Sequence, residues 1–593
     1  MDGKRCYLLS LGLALAVLGL ASGCAGRDAT SRLHALIEEA WSYRLQENPL
    51  LATAAGVDDY NDRLPSVTVA DQERRGEQWR AFLERLEAID RSQLAREDRI
   101  NYDVFERDLR KRIADVEYKA YLMPITHEGG FHTAFARLPS QLALSTTRDY
   151  EDYIARLRVF PEYVDQQIAL MERGIETGYT LPRVVLQGVG GTIEGHVVDD
   201  VAESRFYEPF ASFPNAVPDS ARARLREAGR AAVMDDVVPA YERLLAFVTQ
   251  TYIPNARATI GASELPDGRA YYDALVAHYT TLDLTPEEVH RIGREEVKRI
   301  RAEMEAVIDE VGFRGDFDDF LRFLRTDPRF YADTPEALLK EAAYIAKRVD
   351  GKLPSLFHLR TLPRRPYGVE PVPDDLAPNY TGGRYVVAPV GSREAGTYWV
   401  NTYGLDSRPL YVLEALTMHE AVPGHHLQIA LAQELGDVLP FRRFAGIAAF
   451  TEGWALYAER LGLEAGFYAD PYSNFGRLTY EMWRACRLVV DTGMHAMGWS
   501  REQAMDYLAS NTALSLHEVR TETDRYIAVP GQALAYKMGE LKIRELRRQA
   551  EAALGPDFDV RDFHHAVLKN GAVPLPVLEE EVTRYVEGEG ASG

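Results

Sequence analysis

Cysteine is scarce in this chain of 593 residues, which contains three. Cys6 and Cys24 fall in the first 24 residues, and Cys486 stands alone in the remainder. If Cys6 is removed with an N-terminal signal and the thiol of Cys24 carries lipid, Cys486 has no partner, which excludes an internal disulfide framework. Such a chain must rely on its hydrophobic core, and Cys486, in the apolar stretch EMWRACRLVV, is predicted to be buried there.

Positive charge is also in deficit. The chain has 68 Lys and Arg residues against 90 Asp and Glu residues, which gives a net charge of -22 and a pI of about 5.2. Binding to nucleic acid or to an anionic membrane surface requires clustered positive charge. The composition therefore argues against both partners, and contact with a membrane is expected only through an N-terminal lipid.

Long hydrophobic runs are missing as well. The longest, Leu8–Leu20, is too short to span a bilayer comfortably. It follows the basic residues Lys4 and Arg5 and precedes small residues, which is the pattern of an export signal. We predict that residues 1–23 are a signal peptide.

The end of this segment, Ala-Ser-Gly-Cys at residues 21–24, resembles a bacterial lipobox, in which lipid is attached to the cysteine after cleavage. We therefore predict lipidation of Cys24, a linker over residues 24–30 and a position in the bacterial cell envelope. Alanine rather than aspartate at position 25 favours the outer membrane, facing the periplasm. An ordinary secretory signal with a chance cysteine is the alternative.

Helix-start signals recur along the rest of the chain, so the predicted fold class is mostly α. Thr285, Thr334 and Ser500 each stand at an N-cap position, ahead of a proline or an acidic residue in the first turn. Helical segments of this kind are predicted from about residue 31 to 350 and from about 409 to 585.

Residues 352–408 are instead rich in Pro, Gly, Tyr and Val. Two short strands, RYVVAPV and GTYWVN, are predicted within residues 384–401. Because an extended peptide can pair with a sheet edge, Tyr398 and Asn401 on the second strand are candidate substrate-binding residues. A structural hairpin that caps the helices is the alternative.

The stretch HEAVPGHH, residues 419–426, begins like the zinc-peptidase signature H-E-x-x-H. In that signature two histidines four apart lie on one helix face and bind zinc, and the glutamate between them acts as general base. Here Pro423 occupies the place of the second histidine. In a regular helix, His419 would lie about 9 Å along the axis from His425 and about 10.5 Å from His426, too far for one ion.

Pro423 and Gly424 can interrupt the regular helix and so change the distance between these histidines. Proline removes a helical N–H and clashes with the carbonyl four residues earlier, and glycine tolerates unusual backbone angles. We predict a kink that brings His425, or else His426, toward His419. Glu420 would then be the general base.

A third ligand is expected downstream of this motif. Glu452, in TEGWA, begins a second apolar segment. His419, His425 and Glu452 would bind one Zn²⁺ through two nitrogens and one oxygen and leave a fourth position for water, the arrangement of a catalytic zinc. A chance motif in a packed core is the alternative.

Four stretches, HEAVPGHHLQ, TEGWALYAE, RLVVDTGMHAMGWS and PGQALAYKMG, resemble the bacterial family called domain of unknown function 885. The resemblance covers about residues 31–585 and leaves 586–593 as a flexible tail. The family is similar in outline to helical glutamate-zinc (gluzincin-like) peptidases of the angiotensin-converting-enzyme, thimet-oligopeptidase and Taq-carboxypeptidase types. This implies a two-lobed helical fold with a deep channel and activity on peptides. It also favours His425 over His426, since His425 follows glycine as in those relatives.

The resemblance further implies roles around the metal. In similar peptidases a tyrosine or histidine stabilises the oxyanion, and Tyr526, Tyr536 and His495 are the candidates here, with a structural role as the alternative for each. Asp491 or Glu459 could accept the second N–H of a ligand histidine.

Arg520 and Arg525 are candidates to hold a substrate carboxylate, which would mean exopeptidase action; surface salt bridges are the alternative. The predicted function is an exported, lipid-anchored zinc metallopeptidase. A zinc-dependent amidase or esterase, or a non-catalytic envelope-binding lipoprotein, is the alternative.

Overall fold

The computed structural model describes residues 28–588 except 127, 128, 375, 389–393 and 437. The signal peptide, Cys24 and the end of the predicted tail lie outside the described residues. The chain is mostly helical, as predicted. At the starts predicted from sequence, the side chains of Thr285, Thr334 and Ser500 accept hydrogen bonds from backbone N–H groups of the first helical turn.

Packing divides the chain into two units, which meet in sequence between Thr259 and Ile260. The predicted channel between two lobes stays a prediction. In the first unit, Phe135 stacks on Phe160 with ring centroids 3.9 Å apart, and the Tyr241 hydroxyl donates to a backbone carbonyl. Its elements are α1 (28–47), α2 (Pro49–Ala54), α3 (Val69–Glu87), α4 (Arg96–Glu117), β1 (Ile125–Thr126), β2 (Gly129–Gly130), α5 (Phe131–Ala136), α6 (Leu138–Gln141), α7 (Thr147–Arg158), α8 (Phe160–Thr177), α9 (Val189–Glu194), α10 (Glu208–Ala211), α11 (Asp219–Ala231), α12 (Val238–Phe247) and α13 (Ile253–Asn255).

The second unit contains every residue of the predicted metal site. Its long helices α15 and α22 run along each other, as do α21 and α25. Its elements are α14 (Gly268–Thr280), α15 (Pro286–Glu310), α16 (Phe317–Thr326), α17 (Pro335–Asp350), α18 (Leu353–Leu356), β3 (Tyr367–Pro371), β4 (Gly383–Val386), β5 (Gly396–Val400), α19 (Leu413–Glu420), α20 (His425–Glu434), α21 (Ala448–Ala465), α22 (Pro471–Ala496), α23 (Arg501–Asn511), α24 (Leu516–Ala528), α25 (Leu534–Leu554), α26 (Val560–Leu568) and α27 (Leu575–Val586).

The two predicted strands are present as β4 and β5, although β4 ends at Val386, earlier than predicted. They pair antiparallel with Tyr385 opposite Tyr398. A third strand, β3, pairs parallel with β5 and gives the order β3-β5-β4. β4 is therefore an edge strand, and it packs against the end of α19.

Helices α21 and α25 approach each other through two glycines. A Cβ atom at Gly453 would lie 2.5 Å from the Cα of Gly539, and one at Gly539 would lie 1.8 Å from the carbonyl oxygen of Ala449. No larger residue fits at either position without separating the helices. This close contact sets the distance between the helix that carries Glu452 and the helix that carries Tyr536.

Membrane insertion through these helices is not supported. Within the described ranges, every helix is too short or too polar to cross a bilayer.

Candidate metal centre

The helix over the HEAVPGHH motif is broken, as predicted. α19 ends at Glu420 and α20 begins at His425. Across the break, the N–H of His426 bonds to the carbonyl of Ala421 at 3.1 Å, five residues back rather than four. The indole N–H of Trp454 donates to the Pro423 carbonyl at 2.8 Å, so the tryptophan of TEGWA holds the break in place.

Gly424 is required at this break by close approach of the backbone. A Cβ atom there would lie 2.0 Å from the carbonyl oxygen of His419 and 2.4 Å from that of Met418. Only glycine allows the chain to fold back on the last turn of α19 at this distance. The fold-back shortens the path between His419 and His425, whose ring centroids are 4.8 Å apart.

His419, His425 and Glu452 come together as a potential metal site. Their ligand atoms all lie within 4.8 Å of one another. Oε2 of Glu452 is 3.6 Å from Nε2 of His419 and 3.3 Å from Nε2 of His425. Ligands at the corners of a tetrahedron with bonds of 2.0–2.1 Å are about 3.3–3.4 Å apart, so this donor set fits zinc.

His419 is oriented by Glu459. Its Nδ1–H donates to the Glu459 carboxylate at 2.8 Å, and its Nε2 faces Glu452. Arg484 lies 3.5 Å from the same carboxylate and balances its charge. Burial opposes the protonation of His419, but the two glutamates raise its pKa to about 9 in the metal-free protein.

The Glu452 carboxylate is held in its ionised form. Burial alone would raise the pKa of Glu452, but His425 and His419 keep it well below its usual range. An ionised oxygen is the form that binds a metal.

The two adjacent histidines have different surroundings. Nδ1 of His425 lies 3.1 Å from the Gln428 amide, which also donates to the carbonyl of Thr451. His426 is turned away from the cluster: its Nδ1 lies 3.0 Å from the Tyr385 hydroxyl, and burial lowers its pKa to about 4. The structure thus brings His425, rather than His426, to His419 and Glu452.

Glu420 lies at the sheet edge. Its Oε2 accepts a hydrogen bond from the backbone N–H of Tyr385 at 2.8 Å. Because this N–H points to Glu420, it points away from β5. The free edge of β4 therefore faces the last turn of α19.

Tyr536 is the candidate oxyanion donor that lies near the cluster. It is half-buried, and its phenol interacts electrostatically with Glu452. Burial and this carboxylate raise the pKa of Tyr536, whereas Arg525 and Arg487 oppose the rise. The guanidinium of Arg487 lies 4.2 Å from the centre of the Tyr536 ring.

Comparison with known proteins identifies the family of this chain. A model described as bacterial protein of unknown function (DUF885) matches residues 49–582. The chain belongs to this family. It is similar to a crystal structure described as the putative lipoprotein from Colwellia psychrerythraea, with 29% identity, a TM-score of 0.86 and coverage of 94% of this chain and 99% of that chain.

A second solved structure, described as a putative lipoprotein of unknown function from Shewanella oneidensis, is similar with 18% identity and a TM-score of 0.71. The match covers 93% of this chain and 98% of that chain. This likeness shows the fold alone. No curated protein matches the chain. The DUF885 assignment made from sequence is confirmed, and the likeness to metallopeptidases stays a prediction.

Two other candidate oxyanion donors of this DUF885 chain are engaged elsewhere. The Tyr526 hydroxyl donates to Glu522 and accepts from Trp483 and Arg487, each at 2.8 Å. His495 accepts the N–H of Ala262 at Nδ1 and lies 2.9 Å from the Tyr526 carbonyl through Nε2. In this structure these bonds engage the polar atoms of both residues, and their role as donors stays a prediction.

Asp491 is not brought to the histidines, in contrast to Glu459. It accepts hydrogen bonds from the Tyr272 hydroxyl at 2.5 Å and the Gly531 N–H at 3.1 Å. Its predicted role beside a ligand is therefore wrong. Asp491 instead joins α22 to α14 and to the turn before α25.

The predicted substrate-binding residues also lie elsewhere. Tyr398 is fully buried with its hydroxyl 3.4 Å from Thr417, and the fully buried Asn401 amide donates to three backbone carbonyls. Arg520 is exposed on α24. Arg525 pairs with Glu522 at 2.8 Å and bonds to Gln532 at 2.7 Å. These assignments are corrected: Tyr398 and Asn401 face the core, and Arg525 already has an anionic partner.

Sequence reasoning missed Arg384, Tyr385 and Gln428. Arg384 and Tyr385 lie in the predicted strand, but period-two alternation does not show which face of a strand meets a helix. Gln428 stands three residues after His425, and that helical spacing was the available signal.

Proposed function

We propose that this chain is an exported, lipid-anchored zinc metallopeptidase that hydrolyses peptides or oligopeptides. The observation that carries the proposal is the convergence of His419, His425 and Glu452. Glu420 is near enough for its charge to act on His419. The broken helix supports the proposal, since a regular helix would hold the two histidines apart.

The side chains around the cluster have separate roles in the proposed hydrolysis. Zinc held by the three ligands would supply Lewis-acid activation of a water molecule and lower the pKa of that water toward ~7. Glu420 accepts the water's proton at its carboxylate and passes it to the leaving nitrogen of the substrate. Tyr536 donates a hydrogen bond to the substrate carbonyl oxygen as negative charge develops there.

The position of β4 favours a peptide over a small ester or amide. The outer edge of β4, away from β5, lies beside Glu420 and bonds to it through the N–H of Tyr385. An extended peptide that pairs with this edge would carry its backbone past the general base. A small ester has no extended backbone and could not form these hydrogen bonds with the strand.

Lipid anchoring is supported by the lipobox-like sequence at Cys24 and by the description of the similar Colwellia psychrerythraea structure as a putative lipoprotein. The proposed location is the cell envelope, at the outer membrane and facing the periplasm. Mass measurement of the N-terminal peptide of the mature protein tests this, since a diacylated cysteine at position 24 is expected.

Replacement of the general base tests the enzymatic proposal. In Glu420→Gln, zinc content should be retained while turnover of a mixed peptide library falls by about 10²–10⁴-fold. Glu434→Gln, on the following helix, is the matched control and should keep full turnover. Unchanged turnover in Glu420→Gln would contradict the proposal. Zinc-loaded protein that cleaves only esters or small amides would indicate the alternative hydrolase.

A further inference from the structure

An exposed arginine stands on the edge strand beside the general base. Arg384 lies in β4, opposite Trp399, and immediately precedes the residue whose N–H bonds to Glu420. Its side chain bonds to Tyr380 and is attracted by Glu420 and Tyr536. Within the part of the chain that the structure describes, no carboxylate lies within ion-pair distance of its guanidinium.

Most other arginines around the site are neutralised, which makes Arg384 unusual. Arg487 and Arg525 share the carboxylate of Glu522, at 3.0 and 2.8 Å. Arg484 lies beside Glu459. Among these arginines, Arg384 is therefore the exposed one whose charge is not paired with a carboxylate.

A planar guanidinium without an anionic partner is suited to bind a carboxylate through two parallel hydrogen bonds. Arg384 immediately precedes Tyr385, whose N–H bonds to Glu420. A carboxylate held at Arg384 would therefore lie near a carbonyl held next to Glu420.

We propose that Arg384 binds the free C-terminal carboxylate of the substrate, so that the site acts at the carboxyl end of a peptide. This rests on the proposed peptidase function and specifies its substrate class. It replaces Arg520 and Arg525 as the carboxylate-binding group.

Binding and cleavage of a matched pair of libraries test this proposal. The probes are random N-acetylated tetrapeptides made in two forms, with a free carboxylate or with a C-terminal amide. Zinc-loaded wild type, Arg384→Gln, Arg384→Lys and the exposed control Arg520→Gln are incubated with each library. Retention by ultrafiltration and cleavage are read by mass spectrometry.

We expect wild type and Arg520→Gln to retain the acids at least about tenfold better than the amides, as a charge-assisted pair of hydrogen bonds predicts. Arg384→Gln should lose this preference while still binding amides, and Arg384→Lys should keep part of it. Equal retention of acids and amides by wild type, or a preference that survives in Arg384→Gln, would overturn the proposal.

The two readouts separate this proposal from the enzymatic one. Preferential retention of acids without any cleavage would support carboxylate binding at Arg384 and count against the peptidase. Cleavage of internal bonds in both libraries would support the peptidase and refute the role of Arg384.

Discussion

At the scale of single residues, the site depends on choices that sequence alone leaves open. His425 and His426 are adjacent and both follow the break, so spacing could not separate them. The fold-back at Gly424 decides between them, because it turns His425 toward Glu452 and leaves His426 against Tyr385.

This difference predicts the metal content of two neighbouring variants. His425→Ala should lose stoichiometric zinc, since it removes one of three ligands. His426→Ala should keep zinc, because its imidazole bonds to Tyr385 instead. Elemental analysis of both purified proteins checks this, with circular dichroism to confirm that both are folded. Full zinc in His425→Ala would contradict the assignment of the second ligand.

At the scale of elements, local rules predicted helix starts well and side-chain directions poorly. The N-caps at Thr285 and Ser500 depend on nearby residues only, and they are present. β3 was missed because YGVEP contains glycine and proline and its pairing partner lies far along the chain. The inward direction of Tyr398 depends on helices packed over the sheet, which no strand pattern records.

Asp491 links three elements and gives a prediction about pH. Burial raises the pKa of Asp491 to about 7, so the folded state binds its proton more tightly than the unfolded state, where the pKa is about 4. Its contribution therefore makes the free energy of unfolding fall as pH rises from about 4 to 7, by at most about 1.4 kcal/mol per pH unit.

Asp491→Asn should remove this contribution. Urea unfolding at several pH values between 4 and 7 should give a less negative slope for the variant than for wild type. Asp309→Asn, at an exposed position near the end of α15, is the control and should match wild type. An identical slope in Asp491→Asn would show that the carboxyl group is ionised in the folded protein.

At the scale of the whole molecule, the second unit contains a single cysteine, Cys486, so packing rather than a disulfide within the unit holds it together. Cys486 is free and fully buried, and burial raises the pKa of its thiol. Zinc would add a link between α19, α20 and α21, which carry the three ligands. The family and the mostly helical class were predictable from motifs, whereas the division into two units is set by contacts between distant segments.

Zinc should therefore stabilise the folded chain. A ligand that binds only the folded state at 100 times its Kd adds about 2.7 kcal/mol to the free energy of unfolding. We expect a chelator to lower the unfolding temperature of wild type and to have no effect on His419→Ala, as followed by calorimetry. An equal response of the two proteins would indicate that the metal acts elsewhere.

The glycine contact between α21 and α25 has a consequence for how such a site can evolve. Glu452 precedes Gly453 by one residue, and Tyr536 precedes Gly539 by three. The same helix–helix contact therefore positions both side chains. Their separation is therefore fixed by this contact. We expect changes in substrate specificity to arise at the edge strand β4 instead. A methyl group added at Gly453 or Gly539 would push α21 and α25 apart and so displace Glu452 relative to Tyr536, while leaving most of the architecture intact.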